Sequence, residues 1–285
     1  MYGTLYIVAT PIGNLEDITP RAIRVLGEVA MIAAEDTRHS RGLLTHFEIK
    51  TPMFSCHKFN EGKRGDFFVS ALLEGRDVAL ISDAGTPCIS DPGHKLVQLA
   101  ADAGIDIVPV CGASAVIAAL SVSGFDVTHF TFLGFLPRGK EAEALQLKGT
   151  VVFYESPRRI AATLKKVNEK FPAARICLCN DISKKFEKIY RGAVGEVLEA
   201  LSENPNAEKG EYTCVVNLPP IVAGNPAIEE SLPSLESLLV DIMVKSDCNL
   251  KDASRELREK NSNLSKKEIY SAMLRLKTLL EAKDI

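Results

Sequence analysis

Val78-Ala79-Leu80-Ile81-Ser82-Asp83-Ala84-Gly85-Thr86-Pro87-Cys88-Ile89-Ser90-Asp91-Pro92-Gly93 decides how this chain is read. Four apolar residues form a buried strand. The Asp-x-Gly-Thr-Pro run then turns the backbone tightly at the strand's carboxyl end. In open α/β sheets that is where ligands bind. Asp83 can accept hydrogen bonds from a ribose or an ammonium group. Gly85 and Thr86 are expected to offer backbone N–H groups and a hydroxyl. The second half of the run, Ser90 to Gly93, reads as a helix start, with Asp91 as its cap before Pro92.

Outward from this run, strands and helices alternate. Strands are expected at Leu5–Thr10, Met31–Ala34, Val78–Ile81 and Ile105–Val110. Helices are expected from Pro20, over Phe67–Leu73, over His94–Ala101 and over Ala115–Ser121. That alternation implies a mostly parallel sheet covered by helices. Thr19-Pro20 and Ser156-Pro157 repeat the cap-then-proline device of Asp91-Pro92. A change of character over Leu136–Gly149 marks a domain connection. A second α/β domain follows, with strands at Thr150–Tyr154, Arg175–Cys179, Lys188–Tyr190 and Tyr212–Leu218. Its helices run through Val167 and over Val194–Leu201. The Pro/Gly/Asn-rich stretch 219–233 reads as a linker. Helices at Leu235–Lys245, Leu250–Lys260 and Lys266–Glu281 form an appendage, with Asn249 and Ser265 as caps. The division expected is 1–136, 137–220, a linker at 221–234, and 235–285.

The 285 residues are 46% apolar and 25% charged, ordinary for a soluble globular protein. No 18-residue apolar run suggests a membrane span, and no signal peptide is visible, so a cytoplasmic protein is expected. Seven cysteines without a C-x-x-C pair read as reduced thiols. A net charge of −3 excludes a globally electrostatic nucleic-acid binder and leaves RNA contact to local patches. The five histidines are scattered and no zinc spacing occurs, so no metal is expected. G-x-G-x-x-G and P-loop motifs are absent.

Other strand ends carry weaker signals. Thr10-Pro11-Ile12-Gly13-Asn14 is a cleft wall or a plain turn. Glu35-Asp36-Thr37-Arg38 is a polar cleft wall or a surface ion cluster. Cys111 to Ala115 places small residues before a helix, where a cofactor can approach its N-terminus. Phe153-Tyr154-Glu155-Ser156-Pro157-Arg158-Arg159 sets an aromatic, a carboxylate and two arginines beside another helix start, where they can contact a cofactor or a phosphate. Lys184, Lys185, Lys188 and Arg191 form a basic cluster that is a solvated face or a phosphate site.

Taken together, Leu5 to Thr19, Ala34 to Arg38, Ser82 to Gly93, Gly134-Phe135-Leu136-Pro137 and Phe153 to Ser156 resemble the tetrapyrrole-methylase superfamily of S-adenosylmethionine (SAM) methyltransferases, over about residues 3–218. The resemblance implies two α/β domains with SAM held in the cleft between them. Carried onto this sequence, it gives Pro11, Asp83, Gly85, Thr86, Ser114, Ala115, Tyr154 and Tyr212 as cofactor contacts. Corrin and porphyrin methylases usually begin with Gly-x-Gly-Pro-Gly-Asp. Ala9-Thr10-Pro11-Ile12-Gly13-Asn14 stands here instead, which favours the RNA-directed branch. The implied reaction is 2′-O-methylation of a cytidine ribose in the decoding region of 16S rRNA, on the small ribosomal subunit, by a homodimer. Candidate bases, by strand-end position, are Glu35, Asp36 and Glu155. Candidate RNA contacts are Asn14, Arg38, Lys140 and Arg158. Cys111 departs from the family's usual proline. Asn180-Asp181 departs from the usual Arg-Glu, so neither is taken as a site residue. Rival readings are a methylase of a corrin or porphyrin precursor and a non-catalytic RNA-binding assembly factor.

Overall fold

A computed structural model describes residues 1–57, 61–139, 149–218, 235–246, 248–260 and 266–281. It forms two compact units, Met1–Pro220 and Ile221–Ile285.

The first unit begins with five strands: β1 (Leu5–Val8), β2 (Met31–Ala34), β3 (Met53–Ser55), β4 (Val78–Ile81) and β5 (Ile107–Val110). All pair in parallel in the order β3-β2-β4-β1-β5. Every residue of β2 and β4 is buried, as befits central strands covered on both faces. Pro109 lies in β5, where an edge strand can do without its N–H. Helix α1 (Pro20–Glu28) starts as expected: Thr19 Oγ1 accepts the Ala22 N–H at 3.1 Å, and Pro20 opens the helix. Its residues Ala22, Val25 and Leu26 pack on one face of the sheet with Ile32, Ala79 and Ile81. Helix α2 (Thr37–His46) adds Leu44 to that face. Helices α3 (Glu61–Leu73) and α4 (His94–Asp102) cover the other face with Phe68, Leu72, Leu96 and Ala100. The chain therefore leaves the neighbouring strands β1 and β4 towards opposite faces. That divergence opens a crevice at their carboxyl ends.

The second sheet comprises β6 (Phe130–Phe135), β7 (Gly149–Glu155), β8 (Arg175–Asn180), β9 (Lys188–Ala193) and β10 (Tyr212–Leu218), in the order β6-β7-β10-β8-β9. β6 and β7 are parallel, and the other pairs are antiparallel. Helices α6 (Ile160–Lys170) and α7 (Val194–Ser202) pack one face through Ile160, Leu164, Val194 and Val197. The other face is covered by α5 (Ala115–Ser123), the helix that follows β5 of the first sheet. Its Val116, Ala119 and Leu120 meet Val152, Cys177, Cys179 and Val215. One helix thus joins the two sheets into one unit. The expected burial of Cys177 and Cys179 on a strand is found, with their sulfurs 3.8 Å apart.

Four elements were not expected: α2, β3, β6 and a 3₁₀ turn at Leu15–Asp17. α2 buries only Ser40 and Leu44, so its apolar period is almost silent. Two caps are corrected. α4 begins at His94 behind Gly93, and α6 at Ile160 behind Arg159, neither with a side-chain cap bond. Asp91 and Ser156 sit too far upstream, and their prolines occupy turns instead.

In the second unit, α8 (Leu235–Lys245), α9 (Leu250–Lys260) and α10 (Lys266–Glu281) bury Leu239, Ala253, Leu257, Ile269, Ala272 and Leu276 together. Asn249 caps α9, its Oδ1 accepting N–H groups of Lys251 and Asp252 at 3.0 Å each. Ser265 and the expected linker 221–234 lie outside the described residues.

Candidate active site

A cavity of about 460 Å³ lies within the first unit, between the carboxyl ends of the parallel strands and one edge of the second sheet. Its floor is built from three loops sewn together. Thr10, beyond β1, and Gly85, beyond β4, exchange backbone hydrogen bonds at 2.9 and 3.1 Å. Thr86 Oγ1 donates to the Ala113 carbonyl beyond β5 at 3.3 Å. Gly85 has φ +77°, and a Cβ there would stand 3.3 Å from Ile12 Cγ2. Glycine is required for that turn and that contact together. This corrects one expectation: the Gly85 N–H and Thr86 hydroxyl serve the floor itself.

The second strand end is tied in by a reciprocal pair. Asp83 Oδ1 accepts the Asp36 N–H at 3.1 Å, and Glu35 Oε2 accepts the Asp83 N–H at 3.4 Å. Glu35, Asp83 and Asp91 all line the cavity. Burial raises the Glu35 pKa above its ordinary value, and the charges of Asp91 and Asp83 add to the rise. Burial likewise raises Asp91, against a hydrogen bond from Ser82. Asp91 is therefore a wall residue, which corrects its assignment as a helix cap. A carboxylate followed by proline looks the same in sequence whichever role it has.

The opposite wall comes from the second sheet. The register pairs Glu155 and Asn180 with Tyr212 on either side of it, so these strand ends share one edge. The Glu155 carboxylate is fully buried. It accepts the Ser156 N–H at 2.7 Å and the Thr163 hydroxyl at 2.8 Å, and pairs with Arg159 at 3.2 Å. Tyr212 is also buried. Its hydroxyl donates to the Ala207 carbonyl at 2.8 Å, and burial pushes its pKa up to about 12. Tyr154 is pushed up to about 12 by burial and then by Asp91 and Glu211. Lys184 Nζ lies 3.0 Å from Asp181 and 2.7 Å from Glu211. Burial pulls the Lys184 pKa down, but its two carboxylate partners more than offset this. Lys184 is the one cation among the described lining residues, against Glu35, Asp83, Asp91, Glu155, Asp181 and Glu211. The cavity is acidic.

Two facing loops carry non-glycine residues in the left-handed region: Cys88 and Ser90 at φ 70° and 67°, Asp181 and Ser183 at 54° and 65°. Such backbone collects at ligand sites, where surrounding contacts hold it.

Of the expected site residues, the cavity gathers Glu35, Asp83, Gly85, Thr86, Ser114, Ala115, Tyr154, Glu155 and Tyr212. Pro11 is absent from its lining and Ile12 is present. Asp36 caps α2 and pairs with Arg38 at 2.8 Å; hydrogen bonds from Arg38 hold its carboxyl well below the usual range. Asn14 accepts the Glu16 N–H in the 3₁₀ turn. Arg38 and Arg158 are exposed and outside the lining, and Lys140 lies outside the described residues. Asp181, set aside on sequence grounds, lines the cavity with Lys184, Glu211 and Phe135. Strand register was the signal that could have found Asp181 and Glu211, because Asn180 and Tyr212 are partners.

Residues 4–198 match the tetrapyrrole (corrin/porphyrin) methylases. Ribosomal RNA small subunit methyltransferase I of Pseudomonas aeruginosa is 46% identical over 257 residues, covering 85% of this chain and 89% of that protein. The protein of the same name from Neisseria meningitidis serogroup B is 41% identical over 280 residues, covering 95% and 93%. The crystal structure of uroporphyrin-III C-methyltransferase from Thermus thermophilus with S-adenosylhomocysteine superposes with a TM-score of 0.52 at 17% identity, covering 75% of this chain and 97% of that one. That likeness concerns the fold.

Proposed function

The chain belongs to the tetrapyrrole (corrin/porphyrin) methylases, and on that premise we propose that it uses SAM to methylate small-subunit ribosomal RNA at the 2′-oxygen of a cytidine ribose in the decoding region. The names of its relatives support the RNA substrate. The observation that carries the cofactor is the acid-lined cavity at the ends of β1 and β4. SAM has a positive sulfonium and a positive ammonium, and the cavity holds six carboxylates against one lysine. SAM supplies a methyl group on a sulfur that leaves without further activation.

The protein's part is then positioning, which can supply roughly 7–11 kcal/mol of a barrier at best, and removal of the hydroxyl proton. Asp83, Gly85, Thr86, Ser114, Ala115, Tyr154 and Tyr212 shape the cofactor's place. In Tyr212 the backbone and ring edge do so, since its hydroxyl is bound to Ala207. Among the candidate bases, Glu35 alone reaches the cavity without a cationic partner. Asp36 is held by Arg38, and Glu155 by Arg159 and Thr163. Glu35 is our choice of base, and burial raises its pKa above the ordinary value. RNA phosphates are repelled by the acidic interior. Asn14, Arg38 and Arg158, which lie outside the lining, are assigned to the RNA backbone, and Lys140 is assigned the same partner. A homodimer, a cytoplasmic location and α/β domains meeting near residue 136 complete the reading.

The test is transfer of radiolabelled methyl from SAM to small subunits lacking this modification, with Asp83→Ala beside the wild type. Label on one cytidine 2′-oxygen, lost in the variant, is expected. Binding of SAM without label on subunits or free rRNA would overturn the RNA substrate and favour a corrin or porphyrin precursor.

A further inference from the structure

β6 and β7 pair in register from Phe130↔Thr150 to Phe132↔Val152 and then slip, so that Phe135 stands opposite Tyr154. Three residues of β6 span two of β7. The extra residue is a bulge, with Gly134 at φ +63°. Side chains alternate along a strand, so without the bulge Phe135 would share the face of Leu133, which packs on the core under α6 and α7. With it, Phe135 joins the face of Phe132 and Tyr154, and Leu136 takes the core position. Bulges re-aim side chains in this way next to sites.

The outcome is a large apolar ring left 61% exposed at an acidic cavity. Tyr154 backs it at 5.5 Å, and Phe132 in turn meets Tyr154 edge-on at 5.1 Å. Ser90 Oγ would be 3.0 Å from a Cβ at Gly134, so the loop bearing Ile89 rests on the bulge. Ile89 and Phe135 are the two large exposed apolar side chains of the described lining. Within the described lining Phe135 is the most exposed large apolar side chain.

We propose that Phe135 is the platform on which the target nucleobase stacks when its ribose enters the cavity. This rests on the RNA reading above. A nucleotide taken out of its stack needs a replacement for the lost base contact, and an aromatic face provides it. The adenine of the cofactor has the same flat chemistry. The exposed place of Phe135 favours the incoming base over a ligand held on the loops of the first sheet.

The experiment compares wild type, Phe135→Ala, Phe135→Leu and Phe135→Tyr. Two quantities are read: methyl transfer to unmodified small subunits and calorimetric affinity for S-adenosylhomocysteine. Phe135→Ala is expected to lower kcat/KM about 10- to 100-fold, with affinity for S-adenosylhomocysteine within about two-fold of wild type. Phe135→Tyr is expected to restore transfer, and Phe135→Leu to fail. Transfer within two-fold of wild type in Phe135→Ala would overturn the proposal. So would full activity in Phe135→Leu, or a parallel loss of S-adenosylhomocysteine affinity, which would give the ring to the cofactor. A wild type silent on subunits would remove the RNA reading and this inference together. An active wild type with an equally active Phe135→Ala would remove this inference alone.

Discussion

All five strands of the parallel sheet end on one side, whereas the mixed sheet presents the carboxyl ends of β6, β7 and β8 and the amino ends of β9 and β10 at its cavity edge. The first half of the cavity is held by hydrogen bonds that each have a main-chain group on at least one side. Thr10 bonds to Gly85, Asp83 to the Asp36 N–H, and Thr86 to the Ala113 carbonyl. The second half is held by charged side chains, Glu155 with Arg159 and Lys184 with Asp181 and Glu211. Parallel strands deliver consecutive loops side by side, and loop can then bond to loop. At the mixed edge the Asp181 N–H still donates to the Glu211 carbonyl at 3.0 Å, and Lys184 adds a charged tie between the same two loops. Both walls use main-chain hydrogen bonds, and the second adds ion pairs.

Four measurements can break or sharpen that contrast. Glu155→Ala removes the buried acceptor of the Thr163 hydroxyl and the Ser156 N–H and the carboxylate partner of Arg159, whose guanidinium keeps its bond to the Leu136 carbonyl. Chemical denaturation should show a loss of about 2–3 kcal/mol, the largest effect expected. Gly85→Ala puts a Cβ on left-handed backbone beside Ile12 and should cost about 1–2 kcal/mol. That loss should be unchanged between low and high salt, as a main-chain effect requires; a salt-dependent loss would blur the contrast. Lys184→Met breaks two partly exposed ion pairs. It should cost within about 1 kcal/mol, shrinking further as salt is added.

The smallest effect is a slope. Glu35 and Asp91 have folded-state pKa values above their ordinary 4.5 and 3.8. Just above those values the folded protein therefore binds more protons than the unfolded chain, and stability falls as pH rises through the window. Asp91→Asn should flatten that fall in a denaturation series across pH. An unchanged slope would place the excess protons elsewhere.

The sequence disclosed the parallel sheet because β2 and β4 are uninterrupted apolar runs bounded by turn residues. It disclosed the three C-terminal helices because their apolar period is regular. It hid β6, whose alternation is broken by the bulge at Gly134, and α2, which buries two side chains. The same limits shaped the site. Asp83 and Glu35 stand at the ends of legible strands. Asp91 is masked by its proline, and Asp181 and Glu211 become neighbours only through the register of β8 and β10. Partner strands far apart in sequence leave no local pattern.

The cavity draws its lining from residue 12 to residue 213, and this has a consequence for the chain during its synthesis. The parallel sheet is complete once Val110 has emerged, but the last wall residue follows roughly a hundred residues later. At about 5–20 residues per second that is an interval of about 5–20 s. During it the partners of α5 are made one at a time, Val152 first, then Cys177, with Val215 last. The sewn loops of the first sheet are thus made before the second wall exists, and the cavity closes only in the finished unit.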